Sequence, residues 1–258
     1  MKELKNIKTI ASYTFQEVLK SKVLYNIMFL GIGLLIVTYV AQQFTYGAPS
    51  RVALDFGVGA LSLSSVGIAI FMGVGLLSRE IENRTVYMIV SRPVKRSSFV
   101  LGRILGLNMI LVLNILILSI LTLLVYFLTG GSMNPLIFWT IFFIVLESTL
   151  VLLVVSLLSL LTSSTLSVIV SIVLFFAGHG ISEAKMTVFA QNRPILGWVL
   201  ELYQYVLPAF GKINTRDLLT YNQSVDSGFL FSALSYSVIY SAFLIFLTIT
   251  IFEKKNLD

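Results

Sequence analysis

The sequence has no cysteine, one histidine and few charges: 12% of its 258 residues are Asp, Glu, Lys or Arg. Without cysteine there are no disulfides, no thiolate-bound zinc and no iron–sulfur cluster, and cysteine usage says nothing of the redox compartment. A single histidine, His179, cannot supply the paired histidines of a His-Glu-x-x-His zinc protease. No Gly-x-x-x-x-Gly-Lys-Ser/Thr loop is present, so any ATP that drives this protein must bind another chain. A soluble domain carries about 25% charged residues. Half that fraction leaves too little polar surface for a water-soluble globule. This argues against a soluble enzyme, a disordered protein and a DNA-binding domain.

What is there is apolar, 57% of the residues, with a mean hydropathy of +0.94. The long charge-free runs are 23–50, 56–78, 104–146, 148–182 and 227–252, of 28, 23, 43, 35 and 26 residues. Crossing a ~30 Å hydrocarbon core takes about 20 apolar residues in a helix. The longest run breaks at Gly130-Gly131-Ser132-Met133-Asn134-Pro135, a turn-forming cluster, and the 35-residue run at Thr162-Ser163-Ser164-Thr165. The pattern predicts an all-α integral membrane protein with six transmembrane helices, near 23–44, 54–78, 98–128, 135–161, 166–182 and 228–252. The first apolar stretch is of span length and follows a charged, amphipathic segment, so no cleaved leader is expected.

Lys and Arg are retained on the cytoplasmic side. Of the 18 basic residues, 13 lie in the N-terminal tail, between the second and third helices up to Arg103, and in the C-terminal tail. Both termini are therefore expected in the cytoplasm, as an even number of spans requires. The net charge of +6 belongs to topology and lipid headgroups rather than to nucleic acid.

Leu4, Ile7, Ala11, Phe15, Val18 and Leu19 recur at helical spacing, with Lys5, Lys8 and Lys20 on the polar side. Residues 1–22 are read as an amphipathic helix at the membrane surface, and 23–258 as the transmembrane domain. The loop 79–97 begins with Arg79-Glu80-Ile81-Glu82, passes through the apolar Val86–Val90 and stops at Pro93. On residues alone it is either a short helix on the cytoplasmic face or a solvated loop.

The segment from Leu77 to Gly106 resembles the ABC-2 type transporter permeases, including the branch linked to copper-enzyme maturation and gliding motility. The resemblance rests on Glu80 and Glu82, the Thr85-led apolar run, Pro93-Val94-Lys95-Arg96, and Gly102-Arg103-Ile104-Leu105-Gly106. Arg84 stands where many members have Gly. It implies a type V exporter-like permease in the cytoplasmic (inner) membrane of a prokaryote, with residues 1–22 as its elbow helix. Loop 79–97 would then be the coupling element gripped by a separate ABC ATPase subunit, through Glu80, Glu82, Arg84, Thr85, Pro93 and Arg96. ATP and Mg are expected in that partner and no cofactor in this chain. A second permease copy or relative would complete the transporter.

Gly102 and Gly106 are expected to let their helix approach a neighbour closely, within the chain or across a dimer. Glu147 is the carboxylate set well inside a predicted span, where an ionised group is costly unless it faces protein or water. It and Asn114 are candidate translocation-path residues. The structural alternative is a neutral Glu147 hydrogen-bonded to Asn108 or Asn114. His179, between Gly178 and Gly180, reads more readily as an interfacial hydrogen-bonding residue than as a ligand. In the outer segment 183–227, Pro194 and Pro208 bracket a short interfacial helix carrying Trp198, Tyr203 and Tyr205. It would shape an exit, dock an outer accessory protein, or simply cover helix ends. The competing functions are an ATPase-driven scaffold or force-transmitting complex that moves no solute, and an ion-coupled carrier.

Overall fold

The computed structural model describes residues 2–20, 23–44, 49–82, 95–187, 192–220 and 226–254. Its elements are the helices α1 (Lys2–Leu19), α2 (Val23–Gln43), α3 (Pro49–Glu82), α4 (Arg96–Leu128), α5 (Pro135–Leu161), α6 (Ser164–Met186), α7 (Pro194–Val206), α8 (Arg216–Thr220) and α9 (Ser227–Lys254), with a 3-10 turn at Phe210–Lys212. Five helical stretches are long and apolar enough to cross a membrane: Pro49–Gly75, Arg96–Leu128, Pro135–Leu161, Ser164–Ile181 and Ser227–Lys254. The chain is thus an all-α, multi-pass membrane protein. The predicted first span forms the helix α2, but its apolar stretch within the described residues is the shorter Gly31–Ala41.

The turns are where the sequence puts them. After α4, Gly130 takes a left-handed φ of +86°. The Gly131 amide donates to the Tyr126 carbonyl and the Gly130 amide to that of Phe127, which closes the helix end as a Schellman motif. Asn134 then caps α5, its Oδ1 accepting from the Leu136 amide at 2.9 Å, with Pro135 in the first turn.

α5 is the axis of the bundle. Seven consecutive residues, Leu150 to Ser156, are buried, which requires neighbours on every side. Those neighbours are α3, α4, α6 and α9. By contrast 17% of the α9 span and 22% of the α6 span is buried, which leaves broad apolar faces for lipid. In lipid, helices associate through close packing and hydrogen bonds rather than by the hydrophobic effect. Small residues mark the closest approaches: a Cβ on Gly73 of α3 would lie 2.9 Å from Val155 Cβ of α5. Ser65, Ser148, Ser156, Ser237 and Thr248 are buried and satisfied, each hydroxyl donating to the carbonyl four residues back.

α1 docks on the opening turns of α4, running in the same direction. Gly102 meets Ile10 and the Ile7 carbonyl, and one turn on Gly106 meets Thr14 and the Ala11 carbonyl. Ion pairs stand at both ends, Glu3 with Lys95 and Glu17 with Arg103, the latter at 2.7 Å. Each partner of the exposed Glu3–Lys95 pair favours the other's charged form, so Glu3 is held below the usual carboxylate range and Lys95 above the usual lysine range. Ala11 and Thr14 are buried by this packing, whereas Leu4, expected on the apolar face, is 74% exposed.

Two features depart from the sequence reading. α3 is 34 residues long and runs to Glu82, so the first residues of the expected coupling loop belong to a helix. The outer segment does not stay at the surface after α7. Pro208, Ala209, Phe210, Ile213, Thr215 and Leu219 are buried, and this stretch re-enters the bundle against α3, α5 and α6.

Candidate functional site

The re-entrant segment is seated by particular contacts. At Gly178 of α6 an added Cβ would lie 2.5 Å from the Pro208 carbonyl oxygen and 2.7 Å from the Phe210 ring, so only glycine admits the segment at this depth. The Ala209 amide donates to the Tyr236 hydroxyl of α9 at 2.8 Å. Thr215 Oγ1 donates to Thr140 Oγ1 of α5 at 3.3 Å. Arg216 pairs with Asp55 of α3 at 3.1 Å and also donates to the Asp55 carbonyl. Its guanidinium lies over Gly59, where a Cβ would come within 2.6 Å of Nη2. The glycines in Gly57-Val58-Gly59 therefore serve close packing, Gly57 against Thr122 and Gly59 against Arg216.

Beneath the segment lies a cavity of about 240 Å³ between α3, α5 and α6. Its polar lining includes Ser62, Thr140, Glu147, His179, Asn214 and Arg216, and Phe143, Phe175 and Phe176 form an aromatic wall. Glu147 stands between the two halves of the apolar core: Ile144, one turn before it, packs with one cluster and Leu150 with the other. Its side chain is 9% exposed. Glu147 Oε1 is 3.0 Å from His179 Nε2, and Ser62 Oγ donates to Oε2 at 3.5 Å. Despite the nearby imidazole, Oε1 has no hydrogen-bond partner among the described residues. The His179 ring is fixed from three sides. Its Nδ1 is 3.1 Å from the Phe175 carbonyl oxygen, its face stacks on Phe210 at 5.9 Å and 11°, and Phe175 lies 4.7 Å away.

The residues expected to act together separate on this frame. Glu147 meets Ser62 and His179, not the asparagines. Asn108 instead accepts from Thr149 at 2.9 Å, and Asn114 is fully buried in α4 with no side-chain partner among the described residues. Asn114 is not among the residues lining the cavity that holds Glu147. Gly102 and Gly106 are occupied by α1 of the same chain, which leaves them no room for a second copy. Glu80 and Glu82 fall in the last turn of α3. Arg84, Thr85 and Pro93 lie outside the described residues. Arg96 opens α4, and its Nη1 donates to the Glu253 carbonyl of α9 at 3.1 Å.

The bracketed helix of the outer segment is present as Pro194–Val206, and it exposes Ile195, Trp198, Val199 and Leu202 along one face. Such a stripe suits the headgroup boundary of a bilayer. Sequence reasoning missed the His179–Glu147 contact. The available signal was Gly178, whose missing side chain admits the segment that pins the histidine.

No family model matches the chain, and no curated protein matches it.

Proposed function

We propose that the chain is the membrane subunit of an ATP-driven transporter of the ABC-2 permease type, an exporter coupled through residues 79–97 to a separate ATPase. The observation that carries this reading is the Leu77–Gly106 pattern: paired glutamates, a Thr-led apolar run, a Pro–basic turn and a glycine pair opening the next helix. Two structural features support it. α3 extends seven residues beyond its apolar stretch, which ends at Gly75, so the glutamates stand on a rigid rod rather than a slack connection. α1 is clamped to the first turns of α4, so a push on the α3–α4 connection is transmitted to the amphipathic helix as well. In this reading α2 is the first of six spans, both termini are cytoplasmic, and a second permease completes the transporter.

The test is reversal of both glutamates, Glu80→Lys with Glu82→Lys, in the complex purified with its ATPase. The expected result is loss of permease-stimulated ATP hydrolysis or of the complex, with the melting temperature of the membrane subunit unchanged. Intact stimulation and assembly in the double variant would remove the assignment.

The Glu147–His179 contact favours a second reading, an ion-coupled carrier, because carriers need titratable groups within the membrane. Transport abolished by an ionophore and indifferent to ATP depletion would establish that reading in place of the first.

A further inference from the structure

We propose that Glu147 and His179 form a proton-binding site inside the bundle, the pair carrying one proton beyond the hydrogen on Nδ1 at neutral pH. This is independent of the ATPase reading and holds whichever partner drives the protein.

The inference follows from which atoms can donate. A carbonyl oxygen only accepts, so the 3.1 Å approach of Nδ1 to the Phe175 carbonyl puts a hydrogen on Nδ1. A neutral ring then has a bare lone pair at Nε2. Nε2 lies 3.0 Å from Glu147 Oε1, a buried oxygen with no hydrogen-bond partner among the described residues. If the carboxylate were also bare, two electron-rich atoms would oppose each other in a site where the carboxylate is 9% exposed. A second proton removes the conflict, either as an imidazolium beside a carboxylate or as a carboxylic acid donating to the ring. Ser62 cannot take this role, since its hydroxyl reaches the other oxygen, Oε2.

Among the described residues, the other charged groups around the cavity are engaged elsewhere. Asp55 of α3 and Arg216 of α8 pair with each other at 3.1 Å, and Lys185 of α6 reaches Glu201 of α7 at 3.4 Å. Lys212 lies over the Tyr236 ring of α9 at 5.3 Å. Tyr236 and Tyr240 stack on each other. The cavity supplies a route. Its 240 Å³ has room for several waters, and Ser62, Thr140, Asn214 and Thr215 offer them partners. A positive ring is also favoured where His179 sits, flat against Phe210 and beside Phe175. The proton and the seated segment therefore support each other.

The chain has one histidine, so selective ¹⁵N-histidine labelling of the full-length protein in lipid nanodiscs gives one pair of ring resonances with no assignment step. Infrared difference spectra against Glu147→Gln report a carboxylic acid at that position. At neutral pH the ring and the carboxyl together should carry two hydrogens. These are either both ring nitrogens protonated, or a single Nδ1–H ring with a carboxylic carbonyl band that vanishes in Glu147→Gln. A ring with one hydrogen and no such band would overturn the proposal. In a folded Glu147→Gln protein the ring should be neutral with its hydrogen on Nδ1, because the new amide can donate to Nε2. A ring still doubly protonated in that variant would equally overturn it.

Discussion

Gly178→Val should unseat the re-entrant segment. A Cβ at this position would lie 2.5 Å from the Pro208 carbonyl oxygen and 2.7 Å from Phe210 Cδ2, and neither is the free end of a flexible side chain. To regain ordinary contact the backbone at Pro208 must retreat by about 1 Å, and an overpacked site of this kind costs about 1–3 kcal/mol. That cost falls on the seated state and not on the opened one, so the opening equilibrium rises about 5- to 150-fold. The protein has no cysteine, so one introduced thiol reports the change. Thr215→Cys suits the purpose, being close in shape to a residue that is 2% exposed on the segment itself. Its maleimide labelling rate in membranes should rise by that factor when Gly178→Val is added. A thiol at Trp198, 74% exposed, should label at one rate in both backgrounds. Equal labelling of Thr215→Cys with and without Gly178→Val would show that the segment is not held by this contact, and the reasoning would fail.

Gly106→Val should lift α1 from α4, because the Ala11 carbonyl lies 2.7 Å from where its Cβ would sit. A stability loss of about 1–3 kcal/mol by thermal melting and a lost α1–α4 cross-link are expected, and an unchanged cross-link would count against the packing. Tyr203→Phe should be neutral or slightly stabilising near neutral pH, since the hydroxyl is buried without a partner among the described residues. Burial, followed by the nearness of Tyr236, pushes the Tyr203 hydroxyl above the usual tyrosine range. A raised folded-state value contributes stability below the unfolded value of about 10 and loses it as pH rises through the folded one. The phenylalanine variant should therefore show a shallower alkaline decline in melting temperature, and an identical decline would refute the assignment. In a microsomal translation system Asn222 of Asn222-Gln223-Ser224 should be glycosylated, and Asn83 of Asn83-Arg84-Thr85 should not. Modification at Asn83 would invert the topology.

Five spans and the turns between them were legible because each rests on local chemistry. Charge-free length marks the helices, Gly130 and Asn134-Pro135 mark one reversal, and Pro194 opens α7. The C-terminal end of α3 was misjudged because Arg79 and Glu80 end an apolar run without ending a helix. Neither residue breaks helical hydrogen bonding. The buried course of 208–220 was hidden for a different reason. Pro208, Lys212, Asn214 and Arg216 look like loop residues, and the segment's depth is set by partners distant in sequence: Asp55, Thr140, Gly178 and Tyr236. Glu147 was identifiable as costly from its lone position in a span, but its partner was not. One histidine thirty-two positions away gives no periodic signal, and Asn108 and Asn114 were as plausible by type.

The enclosure of α5 has a consequence for any assembly of two such chains. Around Leu150–Ser156 its neighbours α3, α4, α6 and α9 all come from its own polypeptide, so this half of the axial helix has no face to offer a twin subunit, whereas Phe138, Trp139 and Phe142 nearer its start are exposed. A conduit formed along a seam between protomers would be walled by outward residues, and Glu147, with its side chain 9% exposed, would not line it. A pair of subunits would then hold two separate polar chambers, each enclosed in its own bundle.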